Sequence, residues 1–347
     1  MSESKDKIMK AARFHKKGDP TTSEVLSVEE GVPIPEPKEG QILVQVKAAS
    51  INPVDWKLMK GLVPMKQGPP VGSDVSGTIV KIGPNTTAPS SLKEGDDVYG
   101  DSIATRGSWG EYMVCPANVL SKKPSNISHA EAAALPLAGL TALQGLRNHG
   151  NFQAGQKVLI FGGSGGVGSL AVQMAKALGA SEVYSTGSDV KAIKALGADF
   201  VVNYKEESLM DVLKGKEFDI VYDTIGGHEH WEVAQASLKK DGIFVTLVGD
   251  DSGSMVTDLV KAAWRAVKGK VLRMISGGLS YNLFLTDTSY AGLADDMTKM
   301  TELVESGKLK SILDGRKFEL TTESIHSMVE ASMGHRVKGK LILEVAK

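Results

Sequence analysis

The chain has 347 residues, which is longer than a chain that folds around a single hydrophobic core usually is, so its length predicts two domains. Its 40 basic and 41 acidic residues nearly balance, which excludes the basic footprint of a nucleic-acid-binding protein and a polybasic membrane patch. No apolar run reaches transmembrane length and the N-terminus lacks a signal-peptide pattern. The single cysteine, Cys115, excludes an internal disulfide framework and a multi-cysteine zinc site, and a cytosolic location is expected.

Residues 1–127 are predicted to be rich in β-structure. Short apolar runs bounded by glycine and proline lie at 41–47, 77–83 and 97–100, a pattern typical of strands. Cys115 lies in a further strand-like run and is expected to pack in the core. Strands this short and closely spaced predict a compact barrel-like or sandwich-like domain.

The pattern changes at residue 128. Ser128 is a plausible N-cap for an alanine-rich helix over 129–135; Pro136 interrupts it, and a helical pattern resumes over 140–146. Strands and helices then alternate. The predicted strands are 158–161, 182–186, 200–203, 218–223 and 243–248, and the predicted helices are 167–178, 190–196, 208–213 and 231–238. This alternation predicts a parallel sheet with right-handed crossovers.

The last segment, from about 290, has a mixed pattern. We expect helices over 293–305 and 323–333, a short extended run at 318–320 and a final strand over 340–345. The sequence shows no internal repeat and no low-complexity linker.

One glycine-dense stretch carries the clearest chemical signal. After the apolar run 158–161, Gly163, Gly165 and Gly168 fit the G-x-G-x-x-G spacing, and apolar residues recur at helical intervals beyond them. The first glycine allows a tight turn, the second lets the backbone approach a pyrophosphate, and the third lets helix and strand pack closely. The alternative is an ordinary glycine-rich turn, but the order strand, loop, helix favours a dinucleotide site. We assign to it Gly163, Ser164, Gly165, Gly166, Val167 and Gly168, with Val248 and Gly249 at the end of a later strand.

Several longer motifs, taken together, resemble those of a known family. They are ASINPVDWK at 49–57, GSDVSG at 72–77, GDDV at 95–98, GSWGEY at 107–112, PLAGLTA at 136–142, LGAD at 196–199 and GKLIL at 339–343. In this order they resemble the zinc-independent medium-chain dehydrogenase/reductase superfamily, on its quinone oxidoreductase and enone (alkenal double-bond) reductase branch. The resemblance implies an α/β protein with a GroES-like, β-rich catalytic domain, made of 1–127 and 290–347. A Rossmann domain, a doubly wound parallel sheet over 128–289, lies between these segments.

The sequence departs from the zinc-dependent branch of that family. Those enzymes carry a cysteine at the position of Asn52 and Gly-His-Glu where this chain has Gly-Ser-Asp at 72–74, and they carry a four-cysteine lobe that is missing here. His228 and His230 are closely spaced, but they follow a predicted strand and are expected to be solvated in a loop. We therefore predict neither a metal nor a flavin.

NADPH is the favoured cofactor. Enzymes that use NAD place an acidic residue at the end of the second strand, where this chain has Gly187. The resemblance implies that Thr186, Ser188, Lys191 and Tyr204 surround the 2′-phosphate. Alternatively, Lys191 is a solvated helix charge, and Asp189 beside it weakens its attraction for phosphate. The resemblance also assigns to the cofactor Thr141, beside the nicotinamide, and Leu283, Phe284 and Leu285.

The resemblance implies hydride transfer to a quinone or an α,β-unsaturated carbonyl. It places Asn52, Asp55 and Lys57 in the cleft between the domains. We expect Asn52 to be a positioning or polarising group, and Lys57 to be the proton donor because an ammonium group can stabilise an oxyanion and release a proton. Structural alternatives are a turn at Asn52, a helix cap at Asp55 and a solvated Lys57.

Two other functions stay open: a cofactor-binding interaction partner with little turnover, and an enoyl-thioester reductase. A homodimer is expected, with residues 271–285 as a candidate edge.

Overall fold

A computed structural model describes residues 8–61, 68, 70–86, 92–248, 279–288, 292–334 and 337–346. They divide into two compact units. The first falls within Met1–Leu137, Asp287–Gly307 and Ser311–Lys347, and the second within Ala138–Thr286 and Lys308–Lys310. The sequence prediction placed the boundaries after residues 127 and 289.

The strands are numbered in chain order. They are β1 (Ile8–Phe14), β2 (Leu26–Pro33), β3 (Gln41–Ser50), β4 (Asp74–Ile82), β5 (Asp97–Asp101), β6 (Tyr112–Pro116), β7 (Leu120–Lys122), β8 (Lys157–Phe161), β9 (Glu182–Thr186), β10 (Phe200–Val202), β11 (Phe218–Asp223), β12 (Leu238–Thr246), β13 (Ser280–Leu283), β14 (Leu313–Glu319) and β15 (Lys340–Glu344).

The helices of the described residues are numbered in the same way. They are α1 (Pro53–Met59), α2 (His129–Ala133), α3 (Pro136–Gln144), α4 (Gly166–Ala177), α5 (Val190–Ala195), α6 (Leu209–Leu213), α7 (His228–Ser237), α8 (Leu293–Glu305) and α9 (Thr322–Met333), with a 3-10 turn at Ala117–Val119 and a π turn at Gly145–His149. In this part of the chain, none of the helices combines the length and apolar character needed to cross a bilayer.

The first unit is built on a seven-stranded sheet of order β14-β15-β3-β4-β5-β7, with β6 also pairing with β3. The β-branched side chains Ile42, Val44 and Val46 alternate along β3 and are buried, which suits a central strand. The register sets Asp74 on β4 opposite Asp101 on β5. Polar residues at the ends of these strands are thus brought side by side.

Helix α2 belongs to the first unit. Its N-terminus is closed by the predicted cap, because the Ser128 hydroxyl accepts the Glu131 N–H while the Glu131 carboxylate accepts the Ser128 N–H. Its alanine face packs against Ala48 and Ile342 of the sheet. This packing carries the first unit past the boundary that the change of sequence pattern at residue 128 indicated.

The second unit contains a parallel sheet of order β10-β9-β8-β11-β12-β13. The earliest strand, β8, lies in the middle, and the chain winds outward in both directions from it. This is the order of a doubly wound dinucleotide-binding sheet, whose ligand sites lie at the carboxyl ends of the strands beside the point of reversal, here between β8 and β11. The predicted fold class is confirmed.

The start of α7 corrects one prediction. His228 and His230 lie on this helix rather than in a loop, because the Asp223 carboxylate accepts the N–H groups of Ile225 and Gly226 and forms a turn that leads into it. His230 is only 14% exposed; its Nδ1 lies 3.0 Å from Asp223 Oδ1, and its ring stacks on Phe161 at 4.2 Å. The expectation of a solvated histidine was wrong for His230, whereas His228 is exposed.

Helix α3 corrects a second detail. It begins at Pro136, four residues earlier than the predicted restart, since proline at the first helical position sacrifices no intrahelical hydrogen bond.

Residues 308–310 belong to the second unit, and a side chain on α4 bonds to the last of them. The Gln173 Nε2 donates to the carbonyl of Lys310 at 2.9 Å, and the Gln173 Oε1 accepts the Lys310 N–H at the same distance. Both ends of this buried amide therefore bond to the backbone of one residue far along the chain, and Nε2 also donates to the Ser169 carbonyl at 3.0 Å.

Candidate active site

The turn between β8 and α4 is tied to the end of β9. The Gly162 N–H donates to the hydroxyl of Thr186 at 3.1 Å, and the Gly163 N–H donates to the Thr186 carbonyl at 3.0 Å. Gly162 has a φ of +84°, a conformation that side chains disfavour. Thr186, predicted to contact the cofactor, is buried and holds this turn in place.

The glycines of the turn differ in the space around them. A Cβ on Gly163 would lie 2.2 Å from Ser185 Oγ, and one on Gly168 would lie 2.1 Å from the Gly162 carbonyl oxygen. A Cβ on Gly165 would meet nothing closer than that same oxygen, at 3.4 Å. The protein's own packing thus requires Gly163 and Gly168 to lack a side chain. The space beside Gly165 remains open, as expected of a glycine that lets a pyrophosphate approach.

Helix α4 begins directly at this opening. Gly165 is its N-cap and has no side chain to cap it, so the N–H groups of the first turn point outward without intrahelical acceptors. These groups and the positive end of the helix dipole favour an anion. Ser164, Gly166 and Val167 lie in this segment and are only partly buried.

The end of β9 offers no carboxylate at position 187. A Cβ on Gly187 would lie 2.3 Å from Ile193 Cδ1, so a larger side chain there would require the end of the Ile193 side chain to shift. Asp189 is occupied as the N-cap of α5, where its Oδ1 accepts the Ala192 N–H at 3.2 Å.

The predicted phosphate ligands follow two neighbouring parallel strands. Ser188 and Lys191 follow β9, Tyr204 follows β10, and all three are exposed, Tyr204 by 54%. Because parallel strands end at the same sheet edge, these polar groups share that edge.

Other predicted cofactor residues lie at the same edge. Val248 and Leu285, after β12 and β13, are exposed apolar side chains. Ile225, after β11, is a third one, which the sequence analysis missed because a single apolar residue in a loop has no periodicity. Thr141 is buried, and its carbonyl accepts the Tyr222 hydroxyl at 2.9 Å.

Three other residues were predicted to contact the cofactor. Leu283 ends β13, and the Phe284 ring stacks on His149 at 4.1 Å between centroids. Gly249 lies outside the described residues.

In the first unit, Asn52 stands in a buried polar network. Its N–H donates to Asp55 Oδ2 at 2.8 Å, which is the helix-capping arrangement at the start of α1. Its Nδ2 donates to Asp74 Oδ2 at 2.8 Å, and its Oδ1 accepts from Lys340 Nζ at 2.6 Å. Two of the three predicted catalytic residues, Asn52 and Asp55, are thus brought together.

Asp74 is fully buried and accepts from four groups. Besides Asn52, the donors are the Ser50 hydroxyl at 2.7 Å, the Leu137 N–H at 2.8 Å and Lys340 Nζ at 3.2 Å. Four donors, one of them an ammonium group, satisfy the hydrogen-bonding capacity of this buried side chain.

Asp55 and Asp101 are buried with fewer hydrogen-bond donors than Asp74 has. Burial raises the pKa of Asp55 to about 7, the Asn52 N–H opposes this, and the Asp74 charge adds to it. Burial, followed by the charge of Asp74, raises the pKa of Asp101 well above its ordinary value. Burial lowers the pKa of Arg106, while Asp55 and Asp101 oppose that effect.

This region also gathers polar atoms without partners. Of six buried side-chain nitrogen or oxygen atoms that lack a hydrogen bond within the described residues, five are Asp55 Oδ1, Ser73 Oγ, Asp101 Oδ2, Arg106 Nε and Ser108 Oγ. Such atoms are rare in folded proteins and mark a place where water, a proton or a ligand completes the bonding.

Lys57 stands outside the network. It lies on α1 but is half-buried, and its Nζ lies over the ring of Trp56, 5.7 Å from the centroid. The sequence analysis missed the roles of Asp101, Arg106 and Lys340. Lys340 precedes an apolar run, where a lysine is ordinarily solvated, and its partner Asn52 is 288 positions away.

Two regions of this sequence match known protein families. Residues 38–125 match the alcohol dehydrogenase GroES-like domain, and residues 166–273 match the zinc-binding dehydrogenase family. A chloroplastic quinone-oxidoreductase homolog of Spinacia oleracea is 32% identical over 327 residues, which cover 90% of this chain and 92% of that protein. The chain belongs to the medium-chain dehydrogenase/reductase superfamily.

Two relatives within this superfamily are more similar over a shorter region. The 2-methylene-furan-3-one reductase of Solanum lycopersicum is 41% identical, and the chloroplastic NADPH-dependent alkenal/one oxidoreductase of Arabidopsis thaliana is 39% identical. Each match covers 239 residues and 65% of this chain, and it spans 59% and 60% of the two relatives.

Solved structures of the superfamily agree with the fold. The quinone oxidoreductase of Coxiella burnetii has a TM-score of 0.77 at 29% identity, covering 98% of this chain and all of that one. The Escherichia coli quinone oxidoreductase complexed with NADPH also gives 0.77, at 27% identity, covering 96% and 99%. The predicted membership and the quinone and enone reductase branch are confirmed.

One matching family description implies zinc, but the residues at the corresponding positions do not fit it. Zinc is held by thiolate, imidazole or carboxylate groups. Here Asn52 and Ser73 supply an amide and a hydroxyl, and the remaining carboxylate, Asp74, already binds the Lys340 ammonium group. Within the described ranges, no three His, Cys, Asp or Glu side chains are grouped to hold a metal ion.

Proposed function

We propose that this protein is an NADPH-dependent, metal-free reductase that transfers a hydride to a quinone or an α,β-unsaturated carbonyl compound. The observation that carries the proposal is the turn between β8 and α4. In this turn the surrounding atoms leave no space for a side chain at Gly163 and Gly168 but leave space beside Gly165, next to the outward N–H groups of α4. The similarity to the alkenal and furanone reductases and to the NADPH-bound quinone oxidoreductase supports it.

The choice of NADPH rests on the end of β9. Position 187 is a glycine and has no acidic side chain, so the ribose 2′-hydroxyl of NADH lacks its usual acceptor. Lys191, Ser188 and Tyr204 offer a cation and two hydroxyls at the same sheet edge. We assign them to the 2′-phosphate, for which a lysine is a suitable point charge.

Bound NADPH supplies the hydride, and the protein has to manage charge and protons. As the hydride reaches the electron-poor carbon, negative charge grows on the substrate oxygen and requires a hydrogen-bond donor. We assign this role to an N–H group of the Asn52 side-chain amide, because the oxygen of that amide already accepts a hydrogen bond from Lys340. Lys57, the half-exposed ammonium on α1, is assigned as the proton donor, and Asp55 holds Asn52 at the helix start.

The cofactor site is tested with Gly165→Ala. Since a methyl group there meets no atom closer than 3.4 Å, we expect an unchanged melting temperature and a loss of NADPH affinity of about tenfold or more. Gly334→Ala, at the C-terminal end of α9 with equally distant neighbours, is the matched control. Equal NADPH affinity of the two variants would contradict the proposed site.

The activity is tested by following NADPH absorbance with a quinone and with a small enone. Oxidation of NADPH by either compound supports the reductase. Tight NADPH binding without oxidation across a broad panel would instead favour the cofactor-binding interaction protein. The homodimer also remains a prediction. In the described part of the sheet β13 is the outer strand, but residues 271–278 of the candidate edge lie outside the described residues.

A further inference from the structure

Lys340 is an unusual residue for its position. Its side chain is 7% exposed, although lysines are almost never fully buried without a partner. Its ammonium group donates to three acceptors, the Ile51 carbonyl at 3.1 Å, Asn52 Oδ1 at 2.6 Å and Asp74 Oδ2 at 3.2 Å. An ammonium group has three N–H donors, so all of its hydrogen-bonding capacity is used.

These contacts determine how the Asn52 amide is turned. The amide oxygen faces a cation that only donates, and the amide nitrogen faces the Asp74 carboxylate that only accepts. A flipped amide would place its N–H groups against the ammonium and its oxygen against the carboxylate, and both contacts would be repulsive. Of the two N–H groups on Nδ2, one is used by Asp74 and the other has no acceptor among these partners.

We propose that Lys340 is a positioning residue, which fixes the orientation of the Asn52 amide so that this side chain can act toward a substrate only as a hydrogen-bond donor. The inference rests on the proposed function, in which Asn52 stabilises negative charge on the substrate oxygen. Donor character is what matters there, because an amide oxygen turned toward that charge would destabilise it.

The decisive comparison uses Lys340→Met, which keeps the length of the side chain and removes the cation. With a reducible enone and saturating NADPH, we expect kcat to fall about tenfold or more, while the Kd for NADPH stays unchanged. Lys340→Arg keeps a cation and should recover part of the loss. Lys317→Met on neighbouring β14, where the lysine side chain is 81% exposed, is the matched control and should behave as wild type.

Removing the cation alone leaves Asp74 as an uncompensated buried charge, and Lys340→Met could fail to fold for that reason. The double variant Lys340→Met/Asp74→Asn removes both charges. We expect it to fold and to show the same loss of kcat, because no charge then distinguishes the oxygen end of the Asn52 amide from its nitrogen end. Wild-type kcat in this folded double variant would overturn the proposal.

Dependence on Asn52 separates positioning from a general effect. In Asn52→Ala, adding Lys340→Met should cause no further loss of kcat, because the residue through which Lys340 acts is absent. Additive losses would show that Lys340 acts elsewhere and would refute the inference.

A readout without substrate separates this inference from the proposed function. In protein whose asparagine side chains carry ¹⁵N, the two Asn52 side-chain protons should give separate signals, and the proton donated to Asp74 should be slow to exchange. That protection should be lost in the folded double variant. If these signals behave so while wild type reduces no quinone or enone, the proposed activity is wrong and the positioning stands. Unchanged signals in that variant would refute the positioning, whatever the activity.

Discussion

Asp55→Asn is the substitution that tests the buried carboxyl network most directly. In the folded protein Asp55 Oδ2 accepts the Asn52 N–H at 2.8 Å, while Oδ1 has no partner. Asparagine has nearly the same shape, its oxygen can still accept that N–H, and it cannot ionise. The substitution therefore removes a titration and leaves the capping hydrogen bond in place.

The magnitude follows from the two pKa values. Burial raises the pKa of Asp55 to about 7, against an ordinary value of 3.8 in an unfolded chain. The folded state thus retains a proton that the unfolded state has already lost. Stability from this group is fully present below the unfolded pKa and falls as the pH rises through about 7. The total effect is about 4 kcal/mol, of which roughly 3 kcal/mol falls between pH 5 and pH 8.

The assay is urea unfolding at pH 5, 6, 7 and 8, followed by tryptophan fluorescence. Between pH 5 and pH 8, wild type should lose roughly 3 kcal/mol more unfolding free energy than Asp55→Asn, since other titrating groups are common to both proteins. Asp241→Asn, which alters an exposed carboxyl on β12, should keep the wild-type pH dependence. If Asp55→Asn and wild type depend on pH to the same extent, the carboxyl is not held protonated by burial and the reasoning fails.

Other positions give shorter tests. Lys191→Ala should raise the KM for NADPH about tenfold and leave that for NADH unchanged, whereas Lys194→Ala, an exposed lysine on the same helix, should alter neither. Gly168→Ala should lower the free energy of unfolding by about 1–3 kcal/mol, because the added methyl would lie 2.1 Å from the Gly162 carbonyl oxygen. It should therefore lower the melting temperature as well as the affinity for NADPH. Cys115 should resist a thiol reagent until the protein is unfolded, since it is fully buried and burial raises its pKa to about 12.

The second unit was predictable from sequence because its signals are local. The strand over 218–223 has the predicted bounds, and β8 and α4 each begin one residue before their predicted starts. Apolar periodicity and glycine spacing act within a few residues, so they can be read without knowledge of the tertiary fold. The start of α7 was missed because it depends on the Asp223 carboxylate, whose hydrogen bonds build the preceding turn.

The polar network of the first unit could be predicted only in part. Asn52 and Asp55 are three residues apart, and capping chemistry links them. Lys340 is brought to Asn52 by the pairing of β15 with β3, which sets Ile342 opposite Ser50. No local pattern encodes that register, and a lysine at the start of a strand has no sequence feature that distinguishes a buried ammonium group from a solvated one.

The two hydrogen bonds between Gln173 and the backbone of Lys310 limit how the protein can be cut into fragments that fold. A fragment ending at Thr286 would contain the whole β8–β13 sheet but would lack Lys310, whose backbone N–H and carbonyl bond to the Gln173 amide on α4. The Gln173 Nε2 would keep its bond to the Ser169 carbonyl, but the buried Oε1 would lose the donor it bonds to, at a cost of roughly 1–3 kcal/mol. The excised second unit should therefore be less stable than its continuous sheet suggests, and appending residues 308–310 through a short linker is the natural repair.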